Sequence, residues 1–349
     1  MNENEKYISR CIELAKNGLG YTAPNPLVGS VIVHNGEIIG EGYHKFFGGN
    51  HAEVNAIDSV KDKQKLKEST LFVNLEPCSH YGKTPPCADL IIKMGIPKVV
   101  IGNIDPYKEV AGKGIQKLKD AGIEVISGVL EKDCSELNKR FFIFHKKKRP
   151  YIILKWAQTI DGFISPESKS NGKPFWITNE ISKTLVHKWR TEEQSIIIGT
   201  NTAISDDPQL NAREWEGNNP LRIVLDKNLR LPKTLHIFDK TIPTIVFTSK
   251  KTQSLNTENL EFVNIDFNKN IVKQICKSLY KKDIQSLIVE GGTMLLQTFI
   301  DECIWEEARI FTGNKKFING VKSPQIKGNI ISDDFLGEDN LTILKNKKA

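Results

Sequence analysis

Apolar positions recur at helical spacing from Ile8 through Cys11, Ile12 and Ala15, which predicts an opening helix. Two short strands follow, "LVGSVIV" and "EIIGEGYH", joined by Asn35-Gly36, a pair suited to a tight hairpin turn. From there the pattern alternates. A helix from "HAEVNAI", a strand "TLFVNL", a helix from "CADLIIKMG", a strand "KVVIGNI", a helix near "GIQKLKDAG" and a strand "IEVISGVL" lead to one long helix that ends in "HKKKRP". Strands alternating with helices at this spacing predict a mostly parallel sheet covered on both faces, with the antiparallel hairpin at one side.

Pro150 breaks the pattern and a fresh apolar strand, "YIILKWA", starts at once. We therefore expect one domain over residues 1–147 and a second over 148–349. The second half again alternates: a helix "SKTLVHKWRTE", strands "SIIIGT", "LRIVLD", "TIVFTS" and "LEFVNI", a helix near "IVKQICKSLY", a strand "QSLIVE", a helix "MLLQTFI" and a last strand near "ARIFTG". No repeat relates the halves. Two different α/β domains in one chain imply two different tasks.

Composition narrows the class. The 349-residue chain exceeds the usual single-domain size. No stretch is long or apolar enough to span a membrane, and the N-terminus "MNENEKYISRC" lacks the apolar segment of a signal peptide. A cytoplasmic location with reduced thiols is the expectation. The net charge of +7 suits phosphorylated substrates, but lysine is scattered with no interleaved aromatics, so nucleic acid is not an expected partner. We expect no membrane association and a homo-oligomer. Of the six cysteines only Cys78 and Cys87 are close enough to suggest a metal site. Cys11, Cys134, Cys276 and Cys303 fall in apolar runs and read as small core residues.

The candidate chemistry begins with "HAEVNA" at His51 and "EPCSHYGKTPPC" from Glu76 to Cys87. A catalytic zinc site takes three protein ligands from the His and Cys set and leaves a fourth position for water. His51, Cys78 and Cys87 supply that number and type. Glu53, close to His51 and not itself a ligand, can take the proton of that water and pass it to a ring nitrogen and a departing amine. His51 and Glu53 begin one predicted helix and Cys87 begins another. Helix N-termini lower thiol pKa and so favour ligation.

His51-Ala52-Glu53 with Pro77-Cys78 resembles the zinc-dependent cytidine deaminase-like superfamily, whose signature is H-x-E followed by P-C-x-x-C. Here eight residues, "SHYGKTPP", separate the two cysteines instead of two. That insertion, with "APNPLVGSVIV", is similar to the deaminase half of the bifunctional riboflavin-biosynthesis deaminase/reductase family. The resemblance implies a cytidine deaminase-like three-layer α/β/α domain followed by a dihydrofolate reductase-like α/β domain. It also implies deamination at C2 of 2,5-diamino-6-ribosylamino-4(3H)-pyrimidinone 5′-phosphate, with one Zn2+ per chain. Lys83 and Thr84, beside Gly82, can meet a ribose phosphate with a charge, a hydroxyl and open N–H groups. His80 and His44 could contact the same sugar phosphate or the base. Asn25, in "PNP", has the donor and acceptor to hold a pyrimidine edge, or it shapes a turn between prolines.

The second half has no G-x-G-x-x-G, so a standard dinucleotide fold is not indicated. It has "SLIVEGGTMLLQTFI" instead, where a strand, Gly291-Gly292 and a helix let backbone N–H groups approach a phosphate. "KWAQTIDG", "FWIT" and "GTNTAISDDPQLNAR" place polar side chains at or just past strand ends. By the same resemblance, Ala157, Trp176, Thr202, Asp206 and the loop from Gly292 with Thr293 would hold NADPH. Arg190, Leu210, Arg213 and Glu290 would hold the substrate, whose ribosyl C1′ is reduced to give a ribityl chain. Either Asp206 or Lys155 could assist opening of the sugar ring. Asp207-Pro208 reads as turn chemistry, and Pro174 stands where the family tends to offer a hydroxyl. Two rival readings remain. A tRNA-type base deaminase would need the short cysteine spacing and a basic groove; a zinc-stabilised binding protein would have no use for Glu53.

Overall fold

The computed structural model describes residues 1–79, 85–106, 111–167, 175–251 and 253–347. His80, Lys83, Thr84 and Pro174 lie outside the described residues. The chain divides into two compact units, Met1–Lys148 and Arg149–Ala349.

The first unit runs α1 (Glu3–Lys16), β1 (Gly29–His34), β2 (Glu37–Tyr43), α2 (Ala52–Ser59), β3 (Thr70–Leu75), α3 (Cys87–Met94), β4 (Lys98–Asn103), α4 (Lys113–Asp120), β5 (Glu124–Ser127), α5 (Glu131–Leu137) and α6 (Lys139–Lys147). Its sheet has the order β2-β1-β3-β4-β5, with β1 antiparallel to both neighbours and β3, β4 and β5 parallel. The hairpin turns on Asn35 and Gly36, both at positive φ as the sequence predicts. Alternate strand residues face two cores. Ile32, Leu71, Val73, Val99 and Ile101 pack with Ile57, Ile91 and Leu118 of α2, α3 and α4 on one side. Val31, Val33, Phe72 and Val100 pack with Ile8, Cys11 and Cys134 of α1 and α5 on the other. The result is the three-layer α/β/α sandwich of the cytidine deaminase class.

The second unit runs β6 (Tyr151–Thr159), β7 (Phe163–Pro166), α7 (Glu180–Glu192), β8 (Ser195–Ile198), α8 (Thr200–Asp206), β9 (Leu221–Leu225), β10 (Thr244–Thr248), β11 (Leu260–Asn264), α9 (Ile271–Tyr280), β12 (Ser286–Gly291), α10 (Thr293–Asp301), β13 (Glu307–Gly313), β14 (Gly320–Lys322), β15 (Asn329–Leu336) and β16 (Asp339–Lys345). The main sheet has the order β11-β10-β9-β8-β12-β6-β13-β16-β15. It is parallel except for β16, which runs antiparallel to β13 and to β15, in keeping with the expected dihydrofolate reductase-like class. One face buries Ile152, Leu154, Leu287 and Val289 under α9 and α10; the other buries Ile196, Ile198, Val224 and Ile288 under α7 and α8.

Several expectations need correction. The long helix before the basic run is two helices, broken at Asn138, whose side chain is turned onto the main chain of Leu27. "TNTAISD", for which no element was expected, forms α8, and three further strands follow the one expected to be last. Cys303 is exposed: it falls past the end of α10, in the turn that follows the helix and outside its apolar face. The other three cysteines expected in cores are buried. Among the described residues no helix is long and apolar enough to cross a membrane.

Candidate functional site

In the first unit the reactive groups gather where β3 ends and two helices begin. His51 is the N-cap of α2 and Cys87 opens α3, so both side chains stand at helix N-termini. Cys78 follows β3 through Glu76 and Pro77. Glu76 fixes that turn: its buried carboxylate accepts from the N–H groups of Gly112, Gly114 and Ile115 at 2.9, 2.9 and 3.2 Å, tying it to the start of α4. His51 Nδ1 lies 3.3 Å from Cys87 Sγ and 3.5 Å from Cys78 Sγ, and the three ligand atoms fall within 4.8 Å of one another. Two thiols and an imidazole nitrogen at that spacing match the donor set and reach of a three-ligand zinc site.

The electrostatics agree with the geometry. Hydrogen bonding from Cys87 foremost, and then from His51, draws the Cys78 thiol down to about 4. Cys87 is driven up by the same hydrogen bond, so without a cation the two thiols share one proton. A divalent cation removes the need for that proton. Glu53 is 3% exposed and faces the Cys87 thiol. Burial, with Cys78 next, lifts its carboxyl to about 7.

Asn25 and His44, expected to bind substrate, stand beside this cluster. Asn25 Nδ2 meets His44 Nε2 at 3.1 Å, His44 Nδ1 meets Asn50 O at 2.9 Å, and the His44 and His51 rings are 5.6 Å apart. A carbonyl can only accept, so His44 carries its proton on Nδ1 and takes a hydrogen bond from Asn25 on Nε2. Burial lowers the His44 pKa, consistent with a neutral ring. Asn25 Oδ1 is left to accept from a ligand. The loop bearing Asn25 is held from below, since Asn74 and Asn138 both donate to Leu27 O at 2.9 Å and Asn138 accepts from Leu27 N at 2.8 Å.

In the second unit the C-terminal ends of β8 and β12 meet at bare backbone. Gly199 N donates to Gly291 O at 2.9 Å, and a methyl group on Gly292 would stand 3.2 Å from Thr202 Oγ1. Gly292 is the N-cap of α10, which leaves a glycine-lined recess at a helix N-terminus, suited to a dinucleotide phosphate. Thr293 opens α10 but spends its hydroxyl on Lys322 O. Asp206 closes α8, next to Asp207, whose carboxylate accepts from His236 N and meets its Nδ1, the turn role expected of it. Ala157 is part-buried on β6, and Trp176 is 53% exposed with Lys183 over its ring, so it is no core aromatic.

A charged cluster stands beside this recess on β6, α7 and β12. Arg190 pairs with Glu290 at 2.8 Å and donates to Asn211 O at 3.0 Å. Burial alone would raise the Glu290 carboxyl, but Arg190 and Lys155 outweigh it and hold it at about 2. Lys155 is pushed below its ordinary value by burial and by Arg190, against the pull of Glu290. Arg213 reaches Asn211 Oδ1 at 2.9 Å and stays 40% exposed. The Leu210 side chain is buried in the core, so only its main chain is available to a ligand. His187, three residues before Arg190 on α7, belongs to the same cluster, and nothing in its sequence context singles it out.

Residues 1–103 match the family described as the cytidine and deoxycytidylate deaminase zinc-binding region, and residues 150–316 match the RibD C-terminal domain. Fold and sites thus define a zinc-binding deaminase joined in one chain to a reductase. The riboflavin biosynthesis protein RibD of Aquifex aeolicus is 39% identical, covering 99% of this chain and 94% of its own. That of Escherichia coli is 33% identical over 90% and 88%. The solved diaminohydroxyphosphoribosylaminopyrimidine deaminase/5-amino-6-(5-phosphoribosylamino)uracil reductase of Thermotoga maritima is 38% identical, covers 99% of both chains and superposes with a TM-score of 0.89. Acinetobacter baumannii RibD gives 32%, 98% of both chains and 0.90. The chain belongs to the RibD family, the bifunctional deaminase/reductases of riboflavin biosynthesis.

Proposed function

We propose that the first unit hydrolytically deaminates 2,5-diamino-6-ribosylamino-4(3H)-pyrimidinone 5′-phosphate and that the second reduces the product with NADPH. The final product is 5-amino-6-ribitylamino-uracil 5′-phosphate. The observation that carries this reading is the His51, Cys78 and Cys87 cluster with Glu53 sealed beside it. The reactions named for the Thermotoga maritima relative support the substrate.

His51, Cys78 and Cys87 would hold zinc, which when bound acidifies water into a nucleophile at neutral pH. Glu53 takes one proton from the attacking water and gives it to the ring nitrogen, then takes the second from the new hydroxyl and gives it to the amine, which leaves as ammonia. Its burial beside the cluster keeps the transferred protons inside the site. Asn25 Oδ1 accepts from the pyrimidine edge, held in place by its bond to His44.

In the second unit the recess at Gly292, with Ala157, Trp176, Thr202, Asp206 and Thr293 around it, would hold NADPH, which supplies a hydride. Arg190, fixed by Glu290 and Asn211, keeps N–H groups for a phosphate, as does Arg213. The main chain at Leu210 completes this substrate wall. Lys155 is the better candidate than Asp206 for the proton that opens the sugar ring, because it lies against Glu290 and Arg190 with a lowered pKa. We place the enzyme in the cytoplasm, and we propose that it is a homo-oligomer built on β15. That strand ends the sheet and exposes Ile330 (66%), Ile331 (56%) and Phe335 (77%).

Zinc-loaded protein given the diaminopyrimidine phosphate should release ammonia without NADPH, and should then oxidise NADPH in proportion to the ammonia released. NADPH oxidation before any ammonia appears would reverse the order. Ammonia alone would keep the first assignment and remove the second.

A further inference from the structure

His187 lies on α7, one turn before Arg190 and on the same helix face. Its ring is 2% exposed, and the charged groups acting on it are Arg190 of its own helix, Arg213 and Glu214 of the loop beyond α8, and Glu290 of β12. Nδ1 is sealed from solvent without a hydrogen-bond partner. Nε2 makes no hydrogen bond to the described residues either, yet it is not among the sealed orphan atoms, so this nitrogen reaches accessible space.

Those facts fix the state of the ring. Burial, then Arg190 and Arg213, pushes the imidazole down to about 4, so it is neutral at physiological pH and carries one N–H. A buried N–H without a partner is rarer than an under-satisfied acceptor. The proton therefore belongs on Nε2, the nitrogen with access. A neutral, directional donor stands among the groups that surround the reductase substrate.

We propose that His187 is a substrate-binding residue of the reductase site, its Nε2–H donating to an oxygen of a sugar phosphate alongside Arg190 and Arg213. The proposal rests on the reading of this unit as acting on a phosphoribosyl compound. It explains why Nε2 of a buried imidazole stands here unbonded: its partner arrives with the ligand.

The test uses the full chain, zinc-loaded, with 13C-labelled histidine and ribose 5-phosphate as the probe. The ring resonance that disappears in His187→Gln should shift saturably in the parent as ribose 5-phosphate is added. In NADPH oxidation with the deaminated substrate, His187→Leu should raise KM by about tenfold, the loss of roughly one hydrogen bond to a charged group. Its kcat should change far less. His187→Gln keeps an amide N–H of similar reach and should stay within about threefold of the parent. Ammonia release should be unchanged in both variants. A ring resonance that ribose 5-phosphate leaves unmoved would overturn the proposal. So would a parent-like KM in His187→Leu, or equal losses of KM, kcat and Tm in both variants, which would mark a packing role. If the parent oxidises no NADPH with the deaminated substrate, the functional reading fails, and the resonance shift still decides the place of His187.

Discussion

At the scale of single residues, charge is placed where burial makes it count. Glu290 illustrates the consequence for stability. The folded chain holds its carboxyl at about 2, against an ordinary value of 4.5. Between those values the unfolded chain binds the proton and the folded chain does not, so stability rises with pH through this window. The contribution is complete above 4.5 and fades as pH falls toward about 2. Unfolding of the second unit followed against pH should therefore decline less steeply on acidification in Glu290→Gln than in the parent; equal slopes would show that the Arg190 pair is not the cause. Which residues could be read beforehand follows from chemistry. His51, Glu53, Cys78 and Cys87 were legible because few side chains can ligate zinc or shuttle its proton, and their order along the chain is distinctive. His187 was not, since a lone histidine on an amphipathic helix is ordinarily a core residue and only the charges around it, drawn from three separate segments, say otherwise. Glu76 was hidden for a similar reason: its partners lie beyond the next strand.

Among the elements, α2 shows how a sheet positions a catalytic helix. Gly40 and Gly42 of β2 lie under α2, and a methyl group on Gly42 would come within 2.3 Å of Ala56 N and 2.7 Å of Ala52 O. The helix can rest on the strand only because those side chains are absent. Gly42→Ala should force α2 outward, cost about 1–3 kcal/mol of stability and weaken zinc retention by moving His51. Reduction of the deaminated substrate should be spared, and a variant that holds zinc as the parent does would refute this placement. Most elements were legible from periodicity, because strands buried on both faces and amphipathic helices leave strong patterns. The break between α5 and α6 left none, as it is imposed by Asn138 bonding to Leu27, 111 residues away in the chain. β15 was equally silent: "NIISDDFL" is exposed along nearly its whole length, so no core imprints an alternation on it.

On the scale of the whole molecule the exposed edge of β15 acquires a meaning that its sequence alone does not carry, since only the sheet order reveals that the strand is terminal. Phe335, 77% exposed, is the side chain to change. Phe335→Asp should reduce the mass in solution to that of one chain, and a parent already of that mass would remove the homo-oligomer. The pairing of two chemistries in one chain is the larger claim. It is tested most directly by Glu53→Gln in the full-length protein, with zinc content, ammonia release and reduction of the deaminated substrate measured on one preparation. The expected result is zinc retained, ammonia release abolished and NADPH oxidation at the parent rate. Undiminished ammonia release would take Glu53 out of the mechanism, and simultaneous loss of NADPH oxidation would contradict two independent sites.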